Sequence, residues 1–89
     1  MKIKWNKLAV KQLIDAIDYL DNNQLSSYAE KIEKRILLKI SALGNEQYLQ
    51  TEQQQENTPK NVRILQVDRY LIAYRKTLNS IKILRFFSN

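Results

Sequence analysis

Lys60, Arg63 and Arg85 are the side chains of this 89-residue sequence with the clearest chemical potential, and the chemistry they suit is at phosphate. Guanidinium and ammonium groups can stabilise a pentavalent phosphorane, while a lysine or tyrosine of shifted pKa carries the proton. Tyr70 and Tyr74 fall on one face of a strand-like run and are the tyrosines such a site would use. Their rings also fill half-buried sheet faces well, and packing is the commoner role for tyrosines so placed. Other chemistry is scarce. The chain has no histidine and no cysteine. That removes the usual general base, a thiol nucleophile, a thiolate metal site and any disulfide framework. A single glycine excludes a Gly-rich phosphate loop, and no serine has a histidine base for a triad. Asp15 and Asp18 lie one helical turn apart and read as a solvated face. No metal and no cofactor is expected.

The net charge of +6 is unevenly placed. In residues 1–59 eight cations balance eight carboxylates. Residues 60–89 hold Lys60, Arg63, Arg69, Arg75, Lys76, Lys82 and Arg85 against Asp68 alone. The whole excess therefore sits in the last third, which points to an acidic partner, either nucleic acid or an acidic peptide. The plainer alternative is a solvated basic face that aids solubility. No apolar run approaches the roughly 20 residues of a membrane span, and the opening MKIKWNK turns polar at once. The expectation is a cytoplasmic protein with no membrane contact.

The elements that position these residues follow from periodicity. Lys2 to Trp5 alternates as a short half-buried strand does. Asn6 offers an N-cap, and from Lys7 to about Asn22 the apolar residues Ala9, Leu13, Ala16, Ile17 and Leu20 form one helical stripe. Asn22-Asn23 ends it, with asparagine supplying left-handed geometry. Ser27-Tyr28-Ala29-Glu30 reads as a capping box for a second helix, whose stripe is Ala29, Ile32, Ile36, Ile40 and Leu43. Glu30 and Lys34 add an i,i+4 pair, and Gly44 stands where a C′ residue belongs. The two stripes facing each other make a helical hairpin over about 7–43. Residues 45–61 read as an exposed connection, with a turn of helix around Tyr48 and Leu49 and an exit at Pro59. Strands are expected over Val62–Val67, Tyr70–Lys76 and Ser80–Phe87, joined by an Asp68-Arg69 turn and by Leu78-Asn79. On the last strand, alternation puts Ile81, Ile83 and Arg85 on one face and Lys82, Leu84 and Phe86 on the other. The fold class is α+β in the order β-α-α-β-β-β: a helical hairpin on a small antiparallel sheet, in one domain spanning 1–89.

The strand IKWN leading into a helix with Asp18-Tyr19-Leu20, the second helix ending LGN, and then NVRILQV, YLIAYRK and IKILRFF resemble, in order and spacing, the RelE/ParE toxins of bacterial type II toxin–antitoxin modules. The resemblance covers nearly all 89 residues and implies the fold just described. It also implies one of two activities. The RelE-like branch is a ribosome-dependent mRNA endonuclease that works through basic residues on the sheet and a C-terminal tail. The ParE-like branch lacks those residues and poisons DNA gyrase. Here Tyr70 is followed by Leu71 where the ribonuclease branch has arginine, and Leu65 occupies a second position that is basic in that branch. The sequence ends at Ser88-Asn89, ahead of the catalytic tail. Only Arg63 and Lys60 keep basic side chains at that branch's positions, with Arg85 as a further weak catalytic candidate.

The expectation is thus a toxin of the ParE-like branch that acts by binding. Its first partner would be a cognate antitoxin whose acidic C-terminal segment wraps it. Arg63, Arg75, Lys82, Leu84, Arg85 and Phe86 are the candidate antitoxin- or target-binding residues. Anchors would seat beside Leu84, Phe86 and the helices, and acidic residues would meet Arg75, Lys82 and Arg85. A homodimer and a toxin–antitoxin hetero-oligomer are both open. The alternatives are an mRNA endonuclease acting at the ribosome, a degenerate toxin of weak or no activity, and a plain nucleic-acid-binding module.

Overall fold

The structure is a computed structural model, and it describes residues 2–43 and 61–88. The expectations for Gly44, Tyr48, Leu49, Pro59 and Lys60 lie outside the described residues. The elements run β1 (Lys2–Trp5), α1 (Lys7–Asn22), α2 (Ser26–Ala42), β2 (Arg63–Val67), β3 (Tyr70–Lys76) and β4 (Ser80–Ser88). The strands form one four-stranded sheet in the order β1-β4-β3-β2. β2, β3 and β4 are antiparallel neighbours, as expected. β1 pairs parallel to β4, with Ile3 opposite Ile81 and Trp5 opposite Ile83, so the sheet is mixed. A parallel pair needs a crossover connection, and the helical hairpin between the two strands provides part of it.

Asn6 caps α1 as its residue type demands, its Oδ1 accepting the Ala9 N–H at 2.8 Å. The helix ends differently from the expectation. Gln24, not an asparagine, takes the positive φ of 63°. Its N–H donates to Asp21 O while the Leu25 N–H reaches back to Leu20 O at 2.9 Å, which closes a Schellman motif. This tight closure also corrects the capping box. The Ala29 N–H donates to the Leu25 carbonyl at 2.8 Å, so α2 begins at Ser26 with Leu25 as its cap residue, and leucine has no side-chain acceptor to make a cap bond. Ser27 therefore lies inside the first turn.

Ala29, Ile32, Ile36, Ile40 and Leu43 are all buried, as the stripe predicted. They join Leu65, Val67, Ile72, Tyr74, Ile81 and Ile83 in the main core, with Leu13, Ala16 and Ile17 of α1 packed against it. A second, smaller cluster of Val62, Ile64, Leu71 and Ala73, with Leu84 beside it, occupies the other side of the sheet. β2 and β3 are joined by the expected two-residue turn. Asp68 supplies its positive φ of 55°, which short hairpin turns require. Arg35 on α2 fixes this turn through one guanidinium nitrogen, Nη1, which donates to both carboxylate oxygens of Asp68 at 2.8 and 2.9 Å.

The main departure lies in β4. Ala73 pairs with Arg85 but Tyr74 pairs with Ile83, so Leu84 is an extra residue in the ladder. This bulge resets the alternation. Phe86 joins Ile81 and Ile83 on the helix-covered face, opposite Ile72, whereas Arg85 turns away with Ala73. Strict alternation had exchanged those two residues. Just past the end of the β1 ladder, α1 takes over as neighbour: the Phe86 N–H donates to Gln12 Oε1 at 2.8 Å.

Candidate functional site

The bulge and the registers sort the candidate residues onto different surfaces. Arg75, Lys82, Leu84 and Arg85 share the face of the sheet turned away from both helices. Arg75 stands directly opposite Lys82, and both are exposed, as is Arg85. The Arg85 guanidinium folds back along the strand and donates to the Leu84 carbonyl at 2.8 Å. Leu84 is half-buried against the smaller cluster. These four form one basic surface with a little apolar area at its centre.

Arg63 and Phe86 do not belong to it. Arg63 alternates with Leu65 and Val67, the helix side of edge strand β2, where it pairs with Tyr74. Arg63 and Arg85 thus stand on opposite sides of the sheet and cannot converge on one phosphate from these positions. Phe86 is 2 % exposed and stacks on Tyr70, with ring centroids 5.0 Å apart and planes at 23°. Tyr74 is fully buried. Both tyrosines therefore have the packing role that their residue type made the commoner outcome. Burial, chiefly, pushes the Tyr70 hydroxyl above its ordinary pKa of 10.0; neighbouring Tyr28 and Asp68 raise it further, and Arg69 partly opposes them. A phenol so placed stays protonated at neutral pH and offers no base.

Phe86 and Tyr70 do border a concave surface. A groove of roughly 580 Å³ runs between α1 and the end of β4, lined by Gln12, Ala16 and Tyr19 on one side and Arg69, Phe86 and Phe87 on the other. Tyr19 and Phe87 are exposed at 67 % and 39 %, the proportions of aromatic rims rather than of core residues. Asp15 and Arg69 give it charges of both signs. Alternation and helical stripes could not show this groove, because it lies between a helix and a strand that are nearly sixty residues apart. The available signal was Tyr19, an aromatic outside the buried stripe of α1; strict alternation put Phe87 with Ile81 and Ile83, and only the bulge turns it outward. Among the described residues no three carboxylates gather to hold a metal, and no helix is long and apolar enough to cross a membrane.

Comparison with known proteins fits this architecture. Residues 3–89 match the family model of the ParE toxin of the type II toxin–antitoxin system parDE. Among solved structures, the chain is similar to one described as the chromosomal ParDE toxin–antitoxin system of P. aeruginosa. That match has a TM-score of 0.80 and 21 % identity and covers 99 % of this chain and 95 % of that one. It is also similar in fold to the conserved hypothetical protein HP0894 of Helicobacter pylori, with a TM-score of 0.58, 17 % identity, and 100 % and 94 % coverage. No curated protein matches the sequence.

Proposed function

The chain belongs to the ParE toxin family of type II toxin–antitoxin systems, and from that premise we propose that it stops growth by binding DNA gyrase and is neutralised by an acidic antitoxin segment. The observation that carries this reading is the pairing of an aromatic-rimmed groove with a basic sheet face on one small domain. An antitoxin tail that is helical and then extended can place apolar anchors beside Phe87 and Tyr19, over Phe86. Its carboxylates can then reach Arg69 and Arg85 and continue to Arg75 and Lys82. A few desolvated anchors carry most of the affinity in such an interface, and the charges steer association and fix register. Binding as the mode of action is supported by the separation of Arg63 from Arg85 and by the packing roles of Tyr70 and Tyr74. The cytoplasm is where such partners meet.

Induced expression tests the reading. A gyrase poison provokes DNA-damage signalling while cellular mRNA stays intact. Rapid arrest of translation with cut mRNA contradicts it and assigns the chain to the ribosome-dependent endonucleases. Coexpression of the protein encoded by the adjacent reading frame should restore growth.

A further inference from the structure

One end of the sheet has a composition that antitoxin docking does not require. Lys4 on β1 lies opposite Lys82 on β4, and Lys82 lies opposite Arg75 on β3. Three cations thus stand in a row across three adjacent strands, within about 10 Å, on the face away from the helices. Like charges directly opposite one another destabilise a sheet. Nothing described relieves them: none of the four strands contains a carboxylate, and none of the three cations has an ion pair among the described residues. Lys2, one step along the same face, pairs in register with Ser80. The Ser80 and Thr77 hydroxyls sit 2.8 Å apart beside it. A shallow depression lined by Lys2, Lys4, Asn79 and Ser80 lies at this end.

We propose that this row is a binding surface for the phosphate backbone of duplex DNA. The spacing of the row points to the chemistry. Lysines are point charges that bind phosphate, and cations repeated about one strand apart across β1, β4 and β3 suit a line of backbone charges rather than a single carboxylate. Serine and threonine hydroxyls are regular partners of phosphate oxygens. A single strand would need aromatic rings on which to stack its bases, and none lies in this part of the face. Phe87, the exposed aromatic of β4, stands at the far end of the strand. The choice of DNA over an RNA duplex rests on the gyrase reading above, since a toxin on that enzyme meets duplex DNA there. The contact is to the backbone and independent of base sequence. Because Arg75 and Lys82 also lie in the antitoxin's path, antitoxin and duplex compete for the face.

The test is fluorescence anisotropy of the full chain with a labelled random duplex of about 20 base pairs, titrated from about 50 mM salt upward. Neutralising three to four phosphates gives a slope of log affinity against log salt of about −3. Lys4→Glu with Lys82→Glu should weaken binding more than tenfold and flatten the slope by about two. The control pair Lys31→Glu with Lys39→Glu, on exposed positions of α2, changes the net charge equally and should cost less than threefold. Circular dichroism confirms that each variant is folded. No binding at the lowest salt overturns the proposal, as does an equal loss in both variants. Tighter binding of an RNA duplex, or of a glutamate-rich peptide that needs the same two lysines, assigns the row elsewhere and overturns it too. Gyrase inhibition measured in parallel separates the two readings. A chain that inhibits gyrase without binding duplex refutes the row alone. One that binds duplex without affecting gyrase sustains the row and refutes the target.

Discussion

The helical layer and the outer face of the sheet treat charge in opposite ways. On the helices, Lys11 pairs with Asp15 at 3.9 Å and Lys34 with Glu30 at 3.8 Å, while Arg35 reaches across to Asp68. On the outer face, Lys4, Lys82 and Arg75 stand side by side with no ion pair among the described residues. One layer balances its charges and the other accumulates them. Solubility alone would be served as well by interspersed charges, so the row and its neighbours are better explained as a surface kept for an anionic partner.

The largest effect that tests this contrast comes from neighbouring residues on opposite faces. Ile83 is fully buried under the helices, and Ile83→Ala should cost about 3 kcal/mol in denaturant unfolding. Lys82→Ala, one residue away, should stay within about 0.5 kcal/mol of the parent or be slightly stabilising. Loss of comparable stability in both variants would remove the distinction between the faces. Next in size is antitoxin affinity. Arg75→Glu with Arg85→Glu should weaken the complex by about 2 kcal/mol or more, read by calorimetry. An affinity within a factor of two of the parent would leave the basic face as a solubility feature.

The sequence made much of the helical layer legible. The bounds of α1 and β3, the Asn6 cap and the whole α2 stripe follow from periodicity and residue type, which are local properties. What it hid is non-local. The bulge at Leu84 exists only because β4 pairs with β3 in two registers, and it carried Phe86 to the core and Arg85 to the outer face. The parallel pairing of β1, the Gln12 bond to Phe86 and the groove beside them depend on how a distant helix lands on the sheet. The positive φ at Gln24 came from closing a short connection, against the preference of the adjacent asparagines. Of the candidate binding residues on β4, Lys82 and Leu84 lie on the face that alternation gave them, and Arg85 and Phe86, beyond the bulge, do not.

Smaller effects sharpen the comparison further. Arg35→Ala removes the ion pair that ties α2 to the β2–β3 turn and should cost about 0.5–1 kcal/mol, since Arg35 is largely exposed. Lys34→Ala beside it should cost only a few tenths, the worth of an i,i+4 pair. Equal losses would mean that the turn needs no tie. Smallest is a pH effect at the groove. The folded state raises the Tyr70 pKa, so the unfolded chain releases that proton first as pH rises. The stability contribution is complete below about pH 10 and is lost as pH climbs through the folded value. Ultraviolet titration should therefore show a late-ionising tyrosine component whose amplitude falls in Tyr70→Phe. Simultaneous ionisation of all five would contradict the burial assigned to it.

The central claim is that this ParE-family chain acts by binding gyrase rather than by cutting RNA. Its most direct test is a supercoiling assay with purified gyrase and relaxed plasmid, run beside a ribosome-programmed mRNA cleavage assay. The account predicts dose-dependent loss of supercoiling or accumulation of cleaved plasmid, reversed by the antitoxin, with mRNA intact. Unchanged gyrase activity together with mRNA cut at the ribosome would contradict it.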